Sequence, residues 1–459
     1  MPEFNWRTHC TVSAEQLFAW HTRPGALERL LPPWDKIQVP RREGPGVQDG
    51  ARVELRIPLG PLRLRWLAGY SGFQPGRQFV TEQLRGPFAH WVHTHRFQAG
   101  APGPDGRPTA DLADRVEYAL PGGALGELLG GALLRRRLRR VFTYRERRLR
   151  EDLERHQRHA GAGRWAVSGS SGLIGRRLVA FLASGGHSVQ RLVRAPAQAG
   201  EIHWNPAAGT VDRAALEGLD GVVHLAGESL SGGRWSARRR AAILDSRTGG
   251  TRLLCEALAG LARPPRVLVS ASAIGFYGAR GETPVTERDA PGRGFLAEVC
   301  QAWEQATAPA RDAGIRVVNL RIGMVLAAEG GALAPLAKVF ALGLGGPVGD
   351  GRQGMSWIAL EDLIGVIHQA LHDERLRGPV NAVAPTPVSN REFARTLGRV
   401  LRRPAGLPLP APAVRLALGA MGQELLLEGA YVLPDRLRSL DFPFLYPTLE
   451  SALRAELGA

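Results

Sequence analysis

Between residues 51 and 120, hydrophobic and polar positions alternate with a period of two. Val53, Leu55 and Ile57 are followed by Leu62, Leu64 and Trp66, then residues 79–84, then Trp91, His93, His95 and Phe97, and then residues 116–120. Glycine and proline turns separate these runs, a pattern that predicts an antiparallel sheet with one buried face. Ahead of it lie a short strand over residues 4–12, a capping-box sequence Ser13-Ala-Glu-Gln16 opening a helix with Leu17, Phe18 and Trp20, and a second short helix over residues 24–31. From residue 122 to about 155 the period changes to that of a helix, with Leu134, Leu138, Val141, Phe142 and Leu149 on its apolar side. Residues 156–163, ending Ala-Gly-Ala-Gly, carry no periodicity and read as a linker. From Arg164 onward short, wholly apolar runs alternate with helical segments, which predicts a parallel sheet covered on both faces.

The first region, residues 1–155, resembles the START-like (SRPBCC, polyketide cyclase type) helix-grip domains in its order of strand, two short helices, antiparallel meander and long closing helix. That resemblance implies an α+β fold whose curved sheet wraps the last helix around a cavity for an apolar ligand. The remainder divides into residues 164–386, expected to be a doubly wound α/β Rossmann domain, and residues 387–459, a small C-terminal helical lobe with a capping-box sequence at Ser389 to Glu392.

Composition changes this picture little. At 459 residues, 44% hydrophobic and 22% charged, the chain is an ordinary globular one with room for more than one core. Its net charge of +16 invites a nucleic-acid reading. Lys36 and Lys338 are the only lysines, however, and the densest arginine run, residues 135–150, forms the solvated side of an amphipathic helix, so no nucleic-acid partner is expected. Cys10, Cys255 and Cys300 have neither disulfide nor zinc spacing, and no leader or apolar span of about 18 residues stands out, so a cytoplasmic protein without a membrane span is expected.

The strongest chemical signal follows the first apolar strand of the second region: Gly169, Ser170, Ser171, Gly172, Leu173, Ile174 and Gly175, then a helical pattern to residue 184. Glycines at such a bend permit the tight turn, the approach of backbone to a pyrophosphate and close packing of helix on strand. The amides and dipole of the new helix then hold the phosphates. The next strand, residues 187–193, ends in Arg194, where an NAD-type site presents a carboxylate to the ribose. A guanidinium there suits the 2′-phosphate of NADP, so NADP(H) is expected in preference to NAD(H), the alternative being a surface arginine. Another apolar strand, from Gly221 to Leu225, leads into Ala226, Gly227 and Glu228, where small residues let the backbone lie against the adenosine half of a cofactor, the alternative being a simple turn.

With these motifs go Arg234-Trp235, Ser270-Ala-Ser-Ala-Ile-Gly-Phe-Tyr-Gly278, Leu320-Arg-Ile-Gly-Met-Val-Leu326 and the run from Gly343 to Gln353 followed by Trp357-Ile358. Together they resemble the atypical, epimerase-like (YfcH-type) branch of the extended short-chain dehydrogenase/reductase superfamily, with its C-terminal DUF1731 extension. The resemblance implies that Ser270, Ile322, Gly323 and Met324 also border the cofactor, and that Ser272 is the superfamily's catalytic serine.

The usual Tyr-x-x-x-Lys dyad is missing, with Phe295 and Val299 standing near those positions. Tyr277, in the loop where substrate normally sits, is the candidate phenol, otherwise pocket lining or packing; Glu228 is a candidate base, otherwise a polar loop residue. The branch's Trp-Ile-His-Ile-Asp-Asp reads Trp357-Ile-Ala-Leu-Glu-Asp362 here, without the histidine. His93 and His95 share a strand face, but two imidazoles without a convergent Cys, Asp or Glu are too few for a metal, so no metal is expected. Two functions follow: an NADP-dependent epimerase or oxidoreductase acting on an undetermined small molecule, or a non-catalytic NADP(H)-binding sensor whose START-like domain holds an apolar ligand.

Overall fold

The computed structural model describes residues 1–60, 62–159, 161–230 and 234–459. Ala160, within the predicted linker, lies outside them. The chain divides into two compact units, one formed by residues 1–162 with 179–187, the other by residues 163–178 with 188–459.

In the first unit, period-two alternation becomes a seven-stranded antiparallel sheet of order β1-β7-β6-β5-β4-β3-β2. Its strands are β1 (Glu3–Cys10), β2 (Gln38–Glu43), β3 (Arg52–Leu59), β4 (Leu62–Gln74), β5 (Gln78–Arg85), β6 (His90–Ala99) and β7 (Ala110–Ala119). β2 was not predicted: residues 38–43 are almost wholly exposed, so this edge strand carries no hydrophobic alternation. The Ser13–Gln16 capping box forms in full and starts α1 (Ala14–Thr22). α2 (Ala26–Leu30) follows, and α3 runs from Gly123 to Arg158, into the segment expected to be linker. One side of α3 supplies Leu149 and Leu153 to a core with Leu17, Phe18, Trp20, Phe79 and Phe97, and Leu138 and Phe142 to a second cluster with Phe4, Val116 and Tyr118. Arg29 and Asp152, both fully buried, form a bidentate ion pair at 2.7 Å that ties α2 to α3.

In the second unit, solid apolar runs become the parallel core of an eight-stranded sheet. Its strands are β8 (Arg164–Ser168), β9 (Ser188–Val193), β10 (Glu201–Asn205), β11 (Thr210–Val211), β12 (Gly221–His224), β13 (Val267–Ala273), β14 (Arg316–Ile322) and β15 (Gly378–Ala382). Their order is β11-β10-β9-β8-β12-β13-β14-β15, with β11 alone antiparallel. α4 (Leu173–Ser184) connects β8 to β9, and α5 (Ala237–Ala259) connects β12 to β13. α6 (Phe295–Gln305) lies between β13 and β14 in the chain.

This is a Rossmann-type sheet. The chain leaves β8 toward β9 on one side and later returns to β12 on the other, so strand order reverses between β8 and β12. The C-terminal segment is helical over Asn390–Leu401, Ala411–Leu418 and Leu449–Leu457, but it also adds small strand pairings back to the body, Val388–Ser389 with Gly354–Met355 and Tyr431–Val432 with Pro284–Val285. Of the box predicted at Ser389, one half is seen, the Ser389 hydroxyl accepting from the Glu392 amide. All three cysteines are free and buried.

Candidate functional site

At the reversal point β8 ends in Ser168, directly beside His224 of β12, which in turn lies beside Ser270 of β13. The carboxyl ends of β8, β12, β13 and β14 therefore share one edge, and every sequence-predicted cofactor residue stands on it or just beyond. Gly169 adopts φ +65°, and a Cβ there would meet the Leu225 carbonyl carbon at 2.8 Å and the Ala226 nitrogen at 2.9 Å. The bend is thus packed against the Leu225–Gly227 loop and tolerates no side chain. At Gly175 a Cβ would fall 2.2 Å from the Gly169 oxygen, which explains the third glycine as close packing of α4 on the turn. Gly172 closes the turn through its amide, 2.9 Å from the Gly169 oxygen, and it is exposed together with Ser171. α4 starts at Leu173, so the amides of Leu173 and Ile174 belong to a first turn with no intrahelical acceptor. They form a cradle of backbone donors for an anion.

A buried polar chain holds this cradle. The Ser168 hydroxyl accepts from the Leu225 and Ala226 amides at 3.1 and 3.3 Å. Its proton goes to His224 Nδ1 at 2.7 Å, and His224 Nε2 lies 3.1 Å from the Thr251 hydroxyl, which accepts from the Trp303 indole at 3.0 Å. Burial pushes the His224 imidazole down to about 4, so the ring is neutral at pH 7 and its tautomer follows from Ser168 donating to Nδ1.

Around the cradle, Ser170 and Ser270 are buried, Leu225, Ala226, Ile322, Gly323 and Met324 are half-buried, and Gly227, Glu228 and Arg194 are exposed. Leu192 pairs with Ser168, which sets Arg194 two residues beyond the same edge. A Cβ on Gly323 would meet the Ser356 oxygen at 2.7 Å. The Glu228 carboxylate is paired with Arg239 at 2.8 Å.

Ser272 and Tyr277 are brought together, though through residues that the sequence did not single out. The Ser272 hydroxyl donates to Glu304 of α6 at 2.8 Å. Arg321 of β14 grips the same carboxylate with two bonds of 2.8 and 2.9 Å and donates to the Tyr277 hydroxyl at 2.9 Å. Tyr277 donates to Asn381 of β15 at 2.7 Å. Of the two readings of Tyr277, a phenol toward substrate or a packing residue, the fold favours packing: it ends a short 3-10 turn and is fully buried, its ring in a cluster with Phe276, Val285 and Val432. Burial raises its phenol pKa above the ordinary value, against the opposing pull of Arg321. Phe295 and Val299 are buried in a cluster with Trp235, Ile243 and Met421.

The first unit contains a cavity of about 640 Å³ lined by Ile57, Leu64, Trp66, Tyr70, Trp91 and Phe142 among others. His93 and His95 both line it. The premise that no acid converges on them is corrected by the fold: Asp114 of β7, register partner of His95, brings one carboxylate oxygen to 2.9 Å from His93 Nε2 and 2.8 Å from His95 Nδ1. Burial holds the His95 imidazole down at about 4, while the two imidazoles keep Asp114 ionised well below the usual carboxylate range against the cost of its burial.

The comparisons agree with this geometry. The NAD dependent epimerase/dehydratase family model matches residues 165–382, a domain of unknown function (DUF1731) matches 409–456, and the model for polyketide cyclase/dehydrase and lipid transport matches 10–142. An epimerase family protein of Mycobacterium bovis is 44% identical over 291 residues, covering 63% of this chain and 95% of the relative. The chain belongs to the NAD dependent epimerase/dehydratase family, as an epimerase family protein of the extended short-chain dehydrogenase/reductase type. Among solved structures, a nucleoside-diphosphate sugar epimerase from Corynebacterium glutamicum matches with 33% identity and a TM-score of 0.79 over 99% of this chain and 90% of its own. The human epimerase family protein SDR39U1, solved with NADPH, matches with 33% identity and a TM-score of 0.60, over 64% of this chain and 99% of its own. MoeE5, solved with UDP-glucuronic acid and NAD, shares the fold at 21% identity and a TM-score of 0.53 over 64% of this chain and 98% of its own. No helix among the described residues is long and apolar enough to cross a membrane.

Proposed function

We propose that this chain is an NADP(H)-binding protein of epimerase or oxidoreductase type, joined to a START-like domain that takes an apolar ligand. The observation that carries the reading is the backbone cradle at residues 169–175, where Gly169 and Gly175 leave no room for a side chain, set where strand order reverses. Gly169, Ser170, Ser171, Gly172, Leu173, Ile174 and Gly175 would hold the pyrophosphate, and Leu225 to Glu228 the adenosine half. Arg194 would take the 2′-phosphate, with Ser270, Ile322, Gly323 and Met324 along the rest of the crevice. A relative solved with NADPH supports the choice of cofactor. When bound, the nicotinamide supplies or accepts hydride.

A second reading, a non-catalytic sensor, is favoured by the cluster around Arg321. The Ser272 and Tyr277 hydroxyls are committed to half-buried Glu304 and buried Asn381, and Phe295 and Val299, near the expected dyad positions, are packing residues.

Fluorescence titration tests the first reading. NADPH should bind at least about tenfold more tightly than NADH, and Arg194→Ala should narrow that gap; equal affinities in the parent would remove Arg194 from the site. Gly172→Asp should abolish binding by placing negative charge on the cradle, and unchanged titration would show the cradle is elsewhere. Oxidation of bound NADPH by any member of a carbonyl and sugar-nucleotide panel decides for the enzyme; its absence across the panel favours the sensor.

A further inference from the structure

The first turns of α3 depart from the packing of the rest of the helix. Between residues 123 and 133 only Gly131 is buried, while Leu125, Leu128, Leu129 and Leu133 are 63, 80, 77 and 72% exposed. At about 100° per residue these four leucines fall on one side of the helix, and Arg136, Arg139 and Arg140 continue that side over the next turns. The side facing the cavity is a different one, carrying Leu134, Leu138, Val141 and Phe142. Glu127 is the only acid between residues 123 and 145, and it is paired with Arg135 at 2.7 Å. Arg137 pairs with Asp35 at 3.2 Å, and Arg140 stacks over Trp34. Arg136 and Arg139 are exposed. The outer face of α3 is thus an apolar tip with a basic collar.

We propose that this end of α3 docks on a bilayer surface containing anionic lipid, with the leucines entering the headgroup and acyl boundary and the arginines meeting lipid phosphates. Contiguous exposed apolar residues of this kind mark an interaction surface, and the charge decides what kind. A second copy of the same patch would offer the arginine collar no anion, since Glu127, the only acid of this stretch, is already paired with Arg135. A bilayer presents an apolar interior behind negative headgroups, the complement of a leucine tip behind an arginine collar. The cavity lining on α3 begins at Leu134, one residue beyond the last exposed leucine. Docking would therefore bring the helical wall of the cavity to the lipid phase, where an apolar ligand partitions. The docking itself holds whether or not the cofactor reading does.

The test is flotation of the full chain with vesicles of phosphatidylcholine alone and of phosphatidylcholine with an equal part of phosphatidylglycerol. The parent should float with the anionic vesicles and bind neutral ones about tenfold more weakly. Leu128→Ser with Leu129→Ser should lower binding to anionic vesicles by at least about tenfold. Arg136→Gln with Arg139→Gln should lower it several-fold and flatten its salt dependence. All these positions are exposed, so melting temperature and NADPH titration should not move. Leu128→Trp should show a blue-shifted emission on anionic vesicles only. Failure of the parent to float with either vesicle overturns the proposal, as does unchanged flotation by the leucine variant. A parent that sediments as a dimer, and is made monomeric by the leucine substitutions without ever binding vesicles, would assign the patch to a second copy instead.

Discussion

The glycine turn at residues 169–175 and the ionic cluster around Arg321 belong to one sheet and one strand edge, yet they are made of opposite materials. The turn is backbone: what matters at Gly169 and Gly175 is that no Cβ stands 2.8 Å from the Leu225 carbonyl carbon or 2.2 Å from the Gly169 oxygen. The cluster is side chain: Ser272, Glu304, Arg321, Tyr277 and Asn381 reach one another across four separate segments. A backbone site presents its donors to a ligand and keeps few side chains of its own. A side-chain cluster of this completeness spends its donors internally, which stabilises the fold and leaves less for chemistry. The difference separates the part of the edge suited to hold a cofactor from the part that braces it.

Breaking the cluster should have the largest effect. Arg321→Met leaves the Glu304 carboxylate, which is only 14% exposed, without its bidentate partner. Removing one member of a buried pair costs about 3–5 kcal/mol, so urea unfolding should register a loss of that size. The double variant with Glu304→Gln should recover part of it. A loss below about 1 kcal/mol, the range of exposed pairs, would mean that the cluster is open to solvent and free to act on substrate. Next in size is Gly175→Ala. The added methyl forces the turn away from α4, and NADPH affinity should fall on the order of 100-fold, about 2.7 kcal/mol, with a smaller loss of global stability. If stability fell as far as affinity, the turn would be structural and the contrast with Arg321 would vanish.

How far each region was legible follows from the same contrast. The turn is written in seven consecutive residues after an apolar strand, so its place at the β8–α4 junction was readable. The START-like sheet was readable too, because alternation over residues 51–120 is a local signal. β2 was not, since an exposed edge strand has no buried face to pattern. Glu304, Arg321 and Asn381 carried no signal of their own: an arginine among 57, or a glutamate on a helix, means nothing until strand pairing sets Ser272 beside Arg321. Asp114 was missed for the same reason. His93 and His95 are two residues apart and visible together, whereas their carboxylate arrives from the neighbouring strand through the register His95 with Asp114. Tyr277 stayed open between a phenol toward substrate and a packing residue, because a loop aromatic after a strand does not reveal whether its ring turns outward or into the core formed by Phe276 and Val432.

The smallest effect is the most graded and compares the two units through pH. In the first unit burial pushes His21 and His95 down to about 4 and His156 to about 3, and in the second it pushes His224 down to about 4. Unfolded imidazoles titrate near 6.5. Between roughly pH 6.5 and 4 the unfolded chain therefore binds more protons than the folded one, and stability falls as pH is lowered through that window. Each such imidazole contributes up to about 1.4 kcal/mol per pH unit. Asp114 acts with the same sign at lower pH, since a carboxylate depressed in the folded state loses its contribution once acid protonates it. With three such histidines against one, amides of β6 and β7 should lose hydrogen-exchange protection more steeply from pH 7 to pH 5 than those of β8 and β12. His95→Gln should flatten the β6 and β7 profile and leave that of β8 and β12 unchanged. Equal slopes in both sheets of the parent would show that the units unfold as one, and the contrast between them would then have to be sought in ligand binding alone.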